Sequence, residues 1–308
     1  MKGTRMRLQR LVVRITALIL CVGASLRAQN VPSWTFSAVN DIRVVPNIVY
    51  STANGYDCKL DVYARRNAKA PTPTVMYVHG GGWVAGTKEG AVMNILPYLD
   101  WGLSVVNVEY RLARVSLAPA AVEDCRNALR WIFKHAKEYG FDTTKIIVAG
   151  ASAGGHLALM TGMLQASDGF DLPTDWDYAT VQPHVAAIIN WFGITDVKDL
   201  LSGKNMQNYA VDWIGNQSDG DRLAVQVSPL TYVRKGLPPI FTVQGDNDEL
   251  VPYEQGVRLH EALTKVGVPN VHMTIPGGRH GGFTTEEMNK IYAAILEFLQ
   301  QQNVLAKK

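Results

Sequence analysis

The 308-residue chain has only three cysteines, and no stretch of it reaches the roughly 20 apolar residues that a membrane-spanning helix needs. So few cysteines exclude a disulfide framework, and the missing apolar run excludes a stable membrane span. No GxxxxGK[ST] or GxGxxG string occurs, which removes the usual phosphate-cradling loops. HExxH and any close Cys/His cluster are also missing, so neither a metal nor another cofactor is expected. No basic patch asks for nucleic acid, and there is no internal repeat or long low-complexity linker.

What is present reads as a soluble globular chain, 47% apolar and 19% charged, long enough to bury a sizeable core. Residues 1–28 stand apart. Lys2, Arg5, Arg7, Arg10 and Arg14 precede an apolar run from Ile15 to Gly23, followed by small residues. This is the layout of a signal peptide, with cleavage expected after Ala28 and an uncleaved amphipathic anchor as the alternative. Cys21 follows Leu20, which is too bulky for lipoprotein processing. Removing the leader's six basic residues leaves 24 Lys and Arg against 27 acids, so the mature chain is slightly acidic. The expectation is an exported protein, periplasmic or extracellular, whose residues 29–308 form one domain. Cys58 and Cys125 then remain and are expected as buried thiols rather than a pair.

From about residue 41, strand-like and helix-like segments alternate, which predicts an α/β fold with a mainly parallel sheet and helices on both faces. Ile42 to Tyr63 reads as a hairpin around Asn54-Gly55. Short apolar runs at Thr74 to Val78, Ser104 to Val108, Lys145 to Ala149 and Val185 to Trp191 suit strands buried on both faces. Two more strands are expected at Ile240 to Gln244 and Val271 to Ile275. Ala120 to Tyr139 reads as an amphipathic helix, with Val122, Cys125, Leu129, Ile132 and Phe133 inward and Glu123, Arg126, Arg130, Lys134 and Lys137 mostly outward. Further helices are expected at Gly155 to Leu164, Tyr253 to Val266 and Thr285 to Gln301. Residues 166–183 and 196–236 have weak periodicity and read as excursions that shape a pocket rim.

Gly150-Ala151-Ser152-Ala153-Gly154 follows a strand and opens a helix. A serine hydroxyl attacks only if it is exposed and served by a base, and a sharp strand-to-helix turn flanked by glycines provides the exposure. A small-residue turn without chemistry is the competing reading. His79-Gly80-Gly81-Gly82-Trp83 follows another strand, and its glycines let main-chain amides approach a developing negative oxygen. The expected donors are Gly81, Gly82 and Ala153. His79 is expected to brace this loop, and Trp83 either walls an acyl pocket, as a substrate-binding residue, or packs in the core.

The base expected late in the chain is His280, on the glycine-rich loop Gly277 to Phe283. His156, His260 and His272 lie inside predicted elements and fit worse. Asp246, Asp248 and Glu249 are all candidates for the acid that orients the imidazole, and spacing does not choose among them.

These motifs resemble the hormone-sensitive-lipase-like esterases of the α/β-hydrolase superfamily, and more closely their secreted bacterial feruloyl-esterase-like or acetyl-xylan-esterase-like relatives. The resemblance runs from Leu60-Asp61-Val62-Tyr63 through Glu109-Tyr110-Arg111-Leu112, Gly150 to His156, Ser228-Pro229 and Asp248 to Pro252, to His280. It implies an α/β-hydrolase fold, a serine carboxylesterase acting on short-chain, acetyl or feruloyl esters, small or polysaccharide-linked, and Asp248 as the acid. Leu112-Ala113-Arg114 departs from the lipase-like pattern, and no large cap domain is expected, which suits an open, shallow site. Amide cleavage, arylformamidase-like or prolyl-oligopeptidase-like, is the related alternative. A non-catalytic binding protein on the same fold is the alternative from another class. Oligomeric state is not legible.

Overall fold

Asn54 and Gly55 turn the chain back on itself with φ of +53° and +74°, the left-handed pair that two-residue hairpins require. The turn joins β1 (Ile42–Ala53) to β2 (Tyr56–Arg65). β1 is bulged between Val45 and Ile48 and again between Val49 and Ser51. At the first bulge Asn47 takes φ +58°, and its amide donates to Asp61 Oδ1 at 2.7 Å. The computed structural model describes residues 40–172 and 183–307. The expected leader at 1–28, with Cys21, and residues 173–182 of the first excursion lie outside the described residues.

Six further strands follow: β3 (Thr72–Val78), β4 (Ser104–Val108), β5 (Phe141–Ala151), β6 (Ala187–Trp191), β7 (Ile240–Gly245) and β8 (Asn270–Ile275). They form one sheet in the order β1-β2-β4-β3-β5-β6-β7-β8. β1 and β2 run antiparallel, β2 meets β4 antiparallel, and every pairing from β4 onward is parallel. β4 and β6 are buried at every residue, as their mostly apolar composition demands of strands covered on both faces.

The helices are α1 (Val92–Asp100), α2 (Ala120–Lys134), α3 (Ala136–Tyr139), α4 (Ala153–Met163), α5 (Asn208–Ile214), α6 (Gly220–Gln226), α7 (Tyr253–Lys265) and α8 (Thr285–Gln301). The alternation of β6 shows how the two faces divide. Ile188 points at α4, close enough that a Cβ on Gly162 would lie 2.6 Å from its Cδ1. Trp191 points the other way, its ring 5.2 Å from that of Tyr292 on α8, and Tyr292 also meets Tyr98 of α1 at 6.3 Å. α8 begins where its sequence says it should: Thr284 and Glu287 form a reciprocal capping box.

Several details differ from the expectations. The helix expected over Ala120 to Tyr139 breaks at His135 into α2 and α3. Its polar side is only partly solvated: Lys134 and Lys137 are exposed, whereas Arg126 and Arg130 are buried. Arg126 forks onto Asp171 at 2.7 and 2.9 Å and caps the carbonyls of Thr161 and Leu164. A periodic pattern reports polarity, and these arginines meet it with an internal carboxylate. α1 has no counterpart among the expected helices. It is short and carries Pro97 within it, which breaks the pattern that helices are recognised by. β5 also starts at Phe141, ahead of the expected Lys145.

Register brings the chemistry to one edge. Val78 pairs with both Val108 and Gly150, Ala151 with Trp191, and Gly245 with Ile275. The loops that leave β3, β5, β6, β7 and β8 therefore emerge together at the carboxyl ends of the strands. Between β6 and β7 the described residues hold α5, α6 and short 3-10 turns, with no large cap.

Candidate active site

Ser152 occupies a sharp bend with φ +58° and ψ −123°, a backbone state rare for a residue with a side chain. Its neighbours make the bend possible. A Cβ on Gly150 would lie 2.3 Å from Gly154 O, and one on Gly154 would lie 2.1 Å from Val78 O. Both glycines are thus required by close approach of main chains. The Ser152 amide donates to Trp191 O at 2.8 Å, which fixes the turn to the end of β6.

His280 reaches this serine from a distant part of the sequence. Its Nε2 lies 2.8 Å from Ser152 Oγ, and its Nδ1 lies 2.8 Å from Asp248 Oδ2. The other Asp248 oxygen accepts the amides of Leu250 and Val251, both at 2.9 Å. The Asp248 carboxylate is fully buried, whereas the His280 ring is 14% exposed. With its oxygens occupied in this way the carboxylate accepts from Nδ1–H. That tautomer leaves Nε2 free to accept the serine proton.

The two other acids do different work. Asp246 Oδ1 accepts the Gly277 amide at 2.6 Å and so braces the histidine loop. Glu249 pairs with Arg279 at the surface.

The amides of Gly81, Gly82 and Ala153 donate to no group among the described residues. Ala153 is the first residue of α4, where the helix leaves its N–H groups unpaired and its dipole favours negative charge. Gly81 and Gly82 have φ of +120° and +59°, and a Cβ on Gly81 would lie 2.1 Å from Ala85 O. The loop can take this path only as glycine.

His79 braces that loop. Its Nδ1–H donates to Gly80 O at 2.7 Å, its ring stacks on Tyr110 at 4.4 Å, and Tyr110 Oη donates to His79 O at 3.2 Å. Burial holds its pKa below the ordinary histidine value. Trp83 is wholly buried, so it belongs to the core and does not wall the site's surface. Its indole stacks on Trp213 at 4.1 Å, and its Nε1–H donates to His156 Nδ1 at 3.2 Å. The opposite nitrogen of His156 therefore carries the proton and donates to Val227 O at 2.6 Å. Burial pushes His156 down to about 4, so it stays neutral. His260 bonds Asn270 and Thr242 and is likewise held at about 4, chiefly by burial. His272 stacks on His260 at 5.0 Å. None of these three faces Ser152.

Three residues of the site escaped the sequence reading. Lys88 is buried, and its ammonium lies 2.9 Å from an Asp61 oxygen. Its amide donates to Glu109 Oε2 at 3.0 Å, and its carbonyl accepts Asn107 Nδ2 at 2.6 Å. Tyr209 of α5 lies so close to Gly82 that a Cβ there would be 2.8 Å from Tyr209 Cβ, and its hydroxyl donates to Leu250 O at 2.8 Å. Phe192 packs against His280, with ring centroids 4.7 Å apart. Each sits in an unremarkable stretch of sequence.

The BD-FAE family model matches residues 60–263. Esterase LipC of Mycobacterium tuberculosis is 28% identical over 241 residues, which cover 72% of this chain and 56% of LipC. The chain spans about half the length of the first such relatives it matches. Two solved structures correspond more fully. A truncated carbohydrate esterase from gut microbiota is 25% identical with a TM-score of 0.72, covering 84% of this chain and 96% of its own. Thermogutta terrifontis esterase 2, solved phosphoramylated by tabun, is 27% identical with a TM-score of 0.72, covering 87% and 97%.

Proposed function

The chain belongs to the BD-FAE family, with an α/β-hydrolase fold, and from that premise we propose that it is a serine carboxylic ester hydrolase working through an acyl-enzyme. The observation that carries the reading is the hydrogen-bonded line from Ser152 Oγ through His280 to Asp248, at 2.8 Å in each step. The unpaired amides of Gly81, Gly82 and Ala153 beside it support the same chemistry.

In this reading, His280 Nε2 takes the Ser152 proton as Oγ attacks the ester carbonyl. The carbonyl oxygen becomes negative, and the three amides receive that charge. Main-chain donors held by a glycine loop and a helix start need little reorganisation as the charge forms. Asp248 holds the imidazole in its reactive tautomer and stabilises the imidazolium. His280 then returns the proton to the leaving alcohol. Water repeats the sequence on the acyl-serine, with His280 again as base.

Short acyl, acetyl or feruloyl esters, including groups carried on polysaccharide, are the substrates we propose. The gut carbohydrate esterase is a relative whose own description fits that class. The layout of residues 1–28 supports export, and no described helix is long and apolar enough to cross a membrane.

The test compares p-nitrophenyl esters of graded acyl length, feruloyl esters and acetylated xylan with N-formylkynurenine and a proline-containing dipeptide anilide. We expect ester turnover to exceed amide turnover by orders of magnitude, and a fluorophosphonate probe to label the protein but not Ser152→Ala. Negligible ester turnover with efficient amide cleavage would move the assignment to an amidase. A folded protein that takes no label at all would point to a binding role.

A further inference from the structure

Phe192, the first residue beyond β6, has φ +41°. Glycine, asparagine and aspartate enter this left-handed region readily, but a bulky aromatic does so only when its surroundings impose it. The imposing contacts are visible on both sides. The Phe192 amide donates to Val243 O at 2.8 Å. The next amide, that of Gly193, donates to Asn190 Oδ1 at 2.9 Å. A Cβ on Gly193 would lie 2.5 Å from the Gly155 carbonyl carbon, so the chain is pressed against α4 immediately after the bend.

The conformation sends the Phe192 ring to His280. The two rings are 4.7 Å apart at 62°, and Phe283 also meets Phe192, at 5.9 Å. A Cβ on Gly281 would come within 3.5 Å of Phe192 Cζ. The ring is therefore wedged under the loop that carries the imidazole. One residue earlier, Trp191 O holds the Ser152 amide. Consecutive residues of one strand end thus fix the serine turn and the histidine ring.

We propose that Phe192 is a positioning residue, held in a strained backbone state so that its ring keeps the His280 imidazole in line with Ser152 Oγ. It acts through His280 and need not touch substrate. The proposal rests on the ester-hydrolase reading for its kinetic arm, but its spectroscopic arm does not depend on turnover.

The experiment uses Phe192→Ala, Phe192→Gly and Phe192→Tyr in the full chain. Alanine and glycine both remove the ring, but only glycine relieves the backbone. Phe192→Gly should therefore melt higher than Phe192→Ala. Both should lose kcat on p-nitrophenyl acetate by the same factor, about 10- to 100-fold as expected for a misaligned reacting group, with KM nearly unchanged. Phe192→Tyr should restore kcat to within about threefold of wild type, a margin far inside the misalignment penalty. The low-field proton resonance of His280 Nδ1–H, assigned by its loss in Asp248→Asn, should broaden in the alanine and glycine variants and stay sharp in the tyrosine variant.

Wild-type kcat with a sharp resonance in Phe192→Gly would overturn the proposal. So would a kcat that follows melting temperature across the series, because the ring would then be packing alone. A wild-type protein inactive on esters would count against the function reading, and the proton resonance would still decide the role of Phe192.

Discussion

Asp248 differs from Asp246 and Glu249 in where its oxygens go: one to His280 and one to two amides of its own loop. Its loss should therefore act on chemistry rather than on folding. Asp248→Asn can present its NH2 group to Nδ1, which favours the wrong tautomer, and kcat on p-nitrophenyl acetate should fall by about 10⁴-fold. Glu249→Gln, whose side chain pairs with exposed Arg279, should stay within about threefold of wild type, because exposed pairs contribute little. Equal losses in the two variants would mean that the acid had been misassigned.

The thiols belong to the same scale. Cys58 and Cys125 are both free and buried. Burial pushes Cys58 up to about 12 and raises Cys125 well above its ordinary value. Neither supplies thiolate near neutrality, and the thiolate is the reactive form. At pH 8 Cys58 and Cys125 of the folded protein should react negligibly with Ellman's reagent, and both should react on unfolding. Rapid labelling of the native protein would contradict this burial.

Among the elements, the loop from Gly80 to Lys88 is the one whose shape matters most, because it carries two of the three unpaired amides. It is fastened at its far end by Lys88, which reaches back to Asp61 on β2 and is held at its backbone by Glu109 and Asn107 next to and within β4. Removing one partner of a buried ion pair leaves the other charged and desolvated, at a cost of about 3–5 kcal/mol. Lys88→Met should lower the unfolding free energy by about that amount in urea titrations. It should also lower kcat by about tenfold or more, since loss of one oxyanion donor typically costs about 10²- to 10³-fold. An unchanged urea midpoint would show that Asp61 finds another partner. The α2 helix has a comparable internal anchor, with Arg126 held by Asp171 and two carbonyls of the segment that ends α4.

For the whole molecule, the buried histidines set a pH dependence separate from catalysis. His156 and His260 are lowered from 6.5 to about 4, mainly because burial disfavours the charged ring. In the unfolded chain they bind protons near 6.5, and in the folded chain only near 4. Their contribution is thus fully present above about pH 6.5 and is lost as the pH falls toward 4. The slope should approach 1.4 kcal/mol per pH unit for each such histidine. Denaturant unfolding of Ser152→Ala between pH 7.5 and 4.5 should show this decline, and His260→Asn should make it shallower. A flat profile would mean that these rings are protonated in the native state.

The mostly parallel sheet, the hairpin, the serine turn, the glycine loop and His280 as the partner of Ser152 could all be read from residue order. Each depends on local chemistry: an apolar run needs burial, Asn54-Gly55 permits left-handed φ, and glycines 150 and 154 allow a tight bend. The choice of Asp248 over Asp246 and Glu249 was not readable from spacing, since all three occupy one short loop and differ only in direction. Trp83 is equally ambiguous in sequence, and its place in the core follows from its stacking on Trp213 and its bond to His156. Arg126, Lys88 and Phe192 carry no pattern of their own, because their partners Asp171, Asp61 and His280 lie far along the chain. Sequence determines which backbone shapes and side-chain chemistries are available. Only the tertiary structure decides which distant groups meet, because burial of a charge or strain in a backbone is tolerated only where a partner from elsewhere compensates it.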